Sequence, residues 1–99
     1  MNIQQMMKQA QQMQDQMQKQ MAEMKIEGQA GGGMVTVEIN GHKAMLSIKI
    51  DPEAVSKDDV PMLEDLVLAA INDAHRKADE VLAQQMSGLM GGMKMPGLG

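Results

Sequence analysis

The 99-residue chain contains no Phe, Trp, Tyr or Cys. Aromatic side chains bury the most area per residue and dominate many cores and interfaces. A chain this short without them is expected to complete its core with a second copy of itself. The same absence removes the stacking platforms with which OB-folds and RRM domains hold single strands, which excludes that mode of recognition. Without thiols there are no disulfides, thiolate metal sites or cysteine nucleophiles, and a reducing compartment is the default. The opening Met1-Asn2-Ile3-Gln4-Gln5 has no apolar run of signal-peptide length. No segment approaches the roughly 18 consecutive apolar residues of a membrane span. The expectation is a soluble, cytoplasmic domain with no membrane contact.

What the chain does have is methionine, fourteen in all, and a formal charge of −4. The acidity is local. Residues 51–65 hold Asp51, Glu53, Asp58, Asp59, Glu64 and Asp65 against Lys57, while the rest of the chain carries eight basic and seven acidic residues. A negative total therefore leaves room for a surface of the opposite sign elsewhere.

Residues 1–25 contain nine Gln and neither Gly nor Pro. Ile3, Met6, Ala10, Met13, Met17, Met21 and Met24 recur at intervals of three and four, the stripe of an amphipathic helix with one stutter in its heptad phase. Lys8, Asp15 and Lys19 lie on the opposite, Gln-rich face. In residues 25–33, Ile26, Gly28 and Ala30 alternate with polar residues, giving only a weak third strand that ends at Gly31-Gly32-Gly33. Val35, Val37 and Ile39 alternate more clearly, and so do Ala44, Leu46, Ile48 and Ile50. Between them Asn40-Gly41 predicts a hairpin with a type I′ turn. Asp51-Pro52 ends the sheet. Ser56-Lys57-Asp58-Asp59 matches a capping box, with Asp58 or Asp59 starting a helix that tolerates Pro61 in its first turn. Leu63, Leu66, Val67, Ala70, Ile71, Ala74, Ala78, Val81 and Leu82 then keep helical spacing. From Ser87 on, glycines and Pro96 interrupt the Met and Leu residues, which predicts a flexible tail.

Little in the chain suggests catalysis. His42 and His75 have no ligand-type neighbours at metal-binding spacing. The adjacent pairs Asp58-Asp59 and Glu64-Asp65 point about 100° apart on a helix, so they suit capping better than a shared proton. The triple glycine lacks the Gly-Lys-Ser/Thr ending of a phosphate loop and precedes a strand. The methionine stripe offers thioethers of the kind that bind Cu(I), but without Cys or clustered His it is better explained as flexible packing. No enzyme, metal, cofactor or small-molecule substrate is expected.

The combination of Gly31-Gly32-Gly33-Met34-Val35, Asn40-Gly41, Ile50-Asp51-Pro52, Met62-Leu63-Glu64-Asp65-Leu66, Ala69-Ala70, Asn72-Asp73-Ala74, Arg76-Lys77 and Met95-Pro96-Gly97 resembles the YbaB/EbfC nucleoid-associated proteins. The match runs in order over nearly the whole chain. The resemblance implies an α+β homodimer with projecting helices like tweezers, which binds duplex DNA without a reaction. The roles it implies are nucleoid organisation, gene regulation and DNA protection. The expected architecture is one domain over 1–86, with a long N-terminal helix, a small antiparallel sheet and a long second helix, followed by a Gly/Met-rich tail over 87–99. Val35, Val37, Ile39, Leu46, Ile48, Leu63, Leu66, Val67 and Ile71 are the candidates for core or dimer packing. Arg76 and Lys77 lie within a matched motif and are candidate DNA contacts, and Lys8 and Lys19 join them by their place on the projecting helix. Met45-Leu46-Ser47 carries no positive charge where some relatives place basic residues. With few cations and no aromatics, binding should rest on phosphate contacts, be sensitive to salt and be largely indifferent to sequence. The competing reading is a protein-interaction module that docks a partner through the Met-rich helix.

Overall fold

The computed structural model describes residues 2–91. Helix α1 spans Ile3–Glu23 and is started by Asn2, whose Oδ1 accepts the Gln4 N–H at 3.1 Å. Strands β1 (Ile26–Ala30), β2 (Val35–Ile39) and β3 (Met45–Ile50) follow. A single 3₁₀ turn, Pro52–Ala54, leads to helix α2, Val60–Gly91. The strands form an antiparallel meander in the order β1-β2-β3. The expected weak strand over 26–30 is thus a full member of the sheet, paired along its length from Ile26↔Ile39 to Ala30↔Val35.

Its turn explains the glycines. Gly31, Gly32 and Gly33 all have positive φ, at 65°, 68° and 96°. A side chain at each would cost roughly 1–2 kcal/mol in this left-handed region. Three in succession would prevent the hairpin from closing.

The second turn differs from the type I′ expectation. Lys43, at φ 66°, is the residue with positive φ, and Gly41 is not. Asn40 sits at the first corner of a wider loop. Its Oδ1 accepts the His42 and Ala44 N–H groups at 2.9 and 3.0 Å, and its carbonyl accepts Lys43 N–H at 3.0 Å. This is a type I turn followed by a left-handed residue, the next most common hairpin closure. Gly41 is needed for close approach instead: a Cβ there would lie 3.0 Å from the Met21 carbonyl oxygen. A bulge at Glu38/Ile39 then sets Ile39 opposite Met45.

Helix α2 begins one residue after Asp59, whose Oδ1 accepts the Met62 N–H at 3.3 Å, so Asp59 is the cap and Pro61 falls in the first turn. Ser56 does not complete a capping box; its Oγ accepts the Asp58 N–H within the preceding turn. The helix lies across β1 and β2 through Ala70, Ala74 and Ala78, all fully buried. Small residues are needed here because the helix touches the strand backbone. A Cβ on Gly28 would lie 2.4 Å from both the Ala70 carbonyl oxygen and the Ala74 nitrogen. Ile26, Val35, Val37 and Ile39 complete the core, with Leu63, Leu66, Val67 and Ile71 partly buried at its margin.

Helix α2 runs to Gly91, so residues 87–91 of the expected tail are helical. Residues 92–99 lie outside the described part.

Candidate nucleic-acid interface

Both helices leave the sheet at the same end. The Gly41 N–H donates to the Met21 carbonyl at 2.8 Å, and the His42 Nε2–H faces the Gln18 carbonyl at 3.2 Å, which pins the end of α1 to the β2–β3 turn. Lys43 of that turn pairs with Asp79 of α2 at 2.7 Å. From this junction α1 runs outward for its full 21 residues with none of them buried. Beyond Leu82, α2 likewise leaves the sheet, and residues 83–88 are exposed. The described chain measures 68 × 35 × 15 Å with a radius of gyration of 19.4 Å. A compact chain of this length has a radius of about 13 Å. The shape is a small body with two arms.

The acidic segment sits at the other end. The Asp51 N–H donates to the Met34 carbonyl at 2.8 Å, placing residues 51–65 where β2 begins and β3 ends. A strand length of about 17 Å separates that end from the root of α1.

The sequence-predicted cations fall into two groups. Lys8 and Lys19 are exposed on α1, and among the described residues neither makes an ion pair. Eleven residues apart, they share one face within about 20° and are spaced by about 16 Å along the axis. That face is opposite the methionine stripe.

Arg76 and Lys77 are placed differently. Arg76 Nη2 contacts Asp73 at 2.8 Å and Nη1 contacts Glu80 at 2.7 Å, while Lys77 Nζ reaches Asp73 at 3.1 Å. Asp73 also accepts the Gln29 N–H of β1 at 3.0 Å. That backbone hydrogen bond, followed by those from Arg76 and Lys77, holds the Asp73 carboxyl down at about 2. The two carboxylates push the Arg76 guanidinium up in turn, Asp73 foremost. Asp73 thus ties the outer edge of β1 to α2 and holds both cations. With Lys43 and Asp79 included, three cations meet three carboxylates, so this patch carries no net charge. The Asp73-Arg76-Lys77-Glu80 spacing of i,i+3 and i,i+4 contained the signal for this cluster.

Two further features stand out, an exposed pair among the packing candidates and a cleft that the sequence did not suggest. Leu46 and Ile48 of β3 remain 46% and 47% exposed, because α2 covers β1 and β2 and stops short of β3. Ile48 lies opposite Val37, so it shares the face that α2 covers elsewhere. Where the arms diverge, Met17, Met21 and Met24 of α1 meet Leu82 and Met86 of α2 around an open cleft of about 340 Å³. Among the described residues no group of three or more His, Asp or Glu is placed to hold a metal ion. No helix there is long and apolar enough to cross a membrane.

A three-stranded antiparallel meander backed by one long helix, with a second long helix standing free of it, defines a small α+β protein. The chain belongs to the YbaB/EbfC DNA-binding family, whose model matches residues 1–93. It is 52% identical to a nucleoid-associated protein of Koribacter versatilis, over 97% of this chain and 95% of the relative. One from Chloroflexus aurantiacus is 54% identical, over 95% and 97% of the two chains. One from Caldanaerobacter subterraneus is 52% identical, over 98% and 90%. The solved structure of an uncharacterised protein from Helicobacter pylori shares the fold at 19% identity, with a TM-score of 0.65 over 85% of this chain and 98% of that one.

Proposed function

We propose that the protein binds duplex DNA as a homodimer in the nucleoid, without catalysing a reaction, and that the α1 arms supply the leading phosphate contacts. The observation that carries this reading is the exposed, unpaired Lys8–Lys19 face of α1, held at the end of the sheet away from the acidic segment. Family membership and the names of the relatives supply the ligand class. At 3.4 Å per base pair, the separation of the two lysines spans about five phosphates of one strand. The paired Arg76 and Lys77 contribute less, since a phosphate must compete with Asp73 and Glu80 for them. The roles that follow from such binding are organisation of the nucleoid, regulation of gene expression and protection of DNA.

Dimerisation is supported by β3. An edge strand with half-exposed Leu46 and Ile48 invites a second chain, and a two-fold copy pairing here would cover the same residues on both sides.

A second reading has its own support. Met6, Met13 and Met17 are more than half exposed along α1, a surface suited to docking a partner helix. A low-salt gel shift with unrelated duplexes separates the two. Retardation of all duplexes that fades as salt rises supports DNA as the ligand. No retardation at low salt refutes it and leaves the protein-docking reading.

A further inference from the structure

Helix α1 carries four charged side chains, Lys8, Asp15, Lys19 and Glu23. Asp15 lies about 10 Å beyond Lys8 along the axis and about 20° to one side of it. Lys19 follows about 6 Å further on and lies about 20° to the other side of Lys8. The three thus stand in one line, in the order positive, negative, positive. All three are exposed, and Asp15, like the two lysines, makes no ion pair among the described residues. An acid four residues ahead of a lysine is the favoured order for a helical ion pair, yet Asp15 and Lys19 do not form one. The carboxylate is left in water on the face that the lysines occupy.

We propose that Asp15 is a repulsive element within the DNA-facing line of α1, which keeps each arm to two separated phosphate contacts and holds its affinity down. This rests on the reading of α1 as the arm that contacts DNA. With Lys8 and Lys19 each on a phosphate of one strand, Asp15 faces the phosphates between them. Its side chain is two bonds shorter than lysine, so the carboxylate stands back from the strand without touching it. Like charges about 7 Å apart in water repel enough to weaken binding roughly threefold, or about tenfold for the two arms of a dimer. A neutral residue at this place would let the middle of the line settle against the strand. The carboxylate opposes that contact and leaves the arm held only at its two lysines.

Duplex binding by the full-length protein over a salt series tests the proposal. Asp15→Asn should tighten binding about tenfold at low salt, with the gain fading as salt screens the repulsion. Asp15→Lys should add one phosphate contact per arm and deepen the slope of log K against log salt by about −1.8. Asp15→Glu should bind as wild type does. Glu53→Lys, the same change of charge in the acidic segment, should leave affinity and slope as they are. No residue of α1 is buried, so these variants of position 15 should fold normally. If Asp15→Asn and Asp15→Lys bind like wild type while Lys8→Glu with Lys19→Glu loses affinity, α1 contacts DNA without involving Asp15 and this proposal alone falls. If the lysine variant also binds unchanged, the reading of α1 falls and takes the proposal with it. Equal tightening by Asp15→Lys and Glu53→Lys would mark an effect of net charge rather than of position, and it overturns the proposal as well.

Discussion

Replacing Lys8 and Lys19 together by Glu gives the sharpest test of the DNA-binding surface. Each phosphate contact contributes about −0.9 to the slope of log K against log salt on duplex DNA. Two lysines on each of two α1 arms therefore contribute about −3.6. Between 50 and 200 mM salt, that slope corresponds to a roughly 100-fold loss of affinity. The double variant should bind all duplexes more weakly and lose most of this salt dependence, so the advantage of wild type should itself shrink roughly 100-fold from 50 to 200 mM. No residue of α1 is buried, so folding and dimerisation should stay as they are. Fluorescence anisotropy with two unrelated duplexes over a salt series measures both quantities. Lys57→Glu is the control, since Lys57 belongs to the acidic segment at the far end of the sheet. Arg76→Ala should reduce the slope far less, because Asp73 and Glu80 already hold its charge. Unchanged affinity and slope in the Lys8/Lys19 variant would refute the assignment of α1. A larger loss in Arg76→Ala would move the contact surface to α2.

Gly28→Ala should destabilise the chain by about 3 kcal/mol or more, because the new Cβ meets helix backbone that cannot rotate aside. That corresponds to a drop of roughly 12 °C or more in Tm, and a melt within a few degrees of wild type contradicts the close packing of α2 on β1. Ile48→Asp and Leu46→Asp should leave a folded monomer, since both side chains are half-exposed in one chain and a dimer would trap the charge; sedimentation reads the outcome. Asp73 has its carboxyl lowered from 3.8 to about 2 in the folded chain. Its contribution is therefore complete above the unfolded value near 4 and lost as pH falls towards 2. Thermal melts from pH 5 to pH 2 should show Asp73→Asn less stable than wild type at the top of that range and converging with it at the bottom. Parallel curves would show that Asp73 carries no such linkage.

The strands and helices were legible because each side-chain period matched the face it buries. Val35, Val37 and Ile39 read as one buried face and are one. The Ala70, Ala74 and Ala78 spacing read as a buried helix stripe and is one as well. The turn at Asn40-Gly41 was misread because glycine has two uses. Pattern alone signals positive φ, whereas here the residue makes room for the Met21 backbone, a contact with no local trace in the sequence. β1 was weakly legible for a related reason. Its Gly28 lowers strand propensity, yet it is the residue that allows α2 to approach. Arg76 and Lys77 show the limit for charge. Their place in a motif marked them as candidates, but only the geometry shows that Asp73 and Glu80 already engage them.

Gly41 also links the fold to the aim of the α1 arm. The Gly41 N–H to Met21 bond and the His42 ring against Gln18 are the hydrogen bonds that tie α1 to the turn among the described residues. A methyl at position 41 would sit 3.0 Å from the Met21 carbonyl oxygen and 3.1 Å from its Cα, so the two backbones must part by a few tenths of an ångström. At the root of a lever, that is enough to matter. A shift of about 0.4 Å over a contact of about 5 Å becomes roughly 2–3 Å at the tip of a helix about 31 Å long. Lys8 lies near that tip and Lys19 near the root, so their common line on a DNA strand would tilt. Gly41→Ala should therefore weaken DNA binding severalfold while the hydrogen-exchange protection of β2 and the central turns of α2 stays at the wild-type level. If affinity is unchanged, the orientation of α1 does not govern binding. If protection of β2 falls together with affinity, Gly41 supports the sheet as a whole and the lever argument fails.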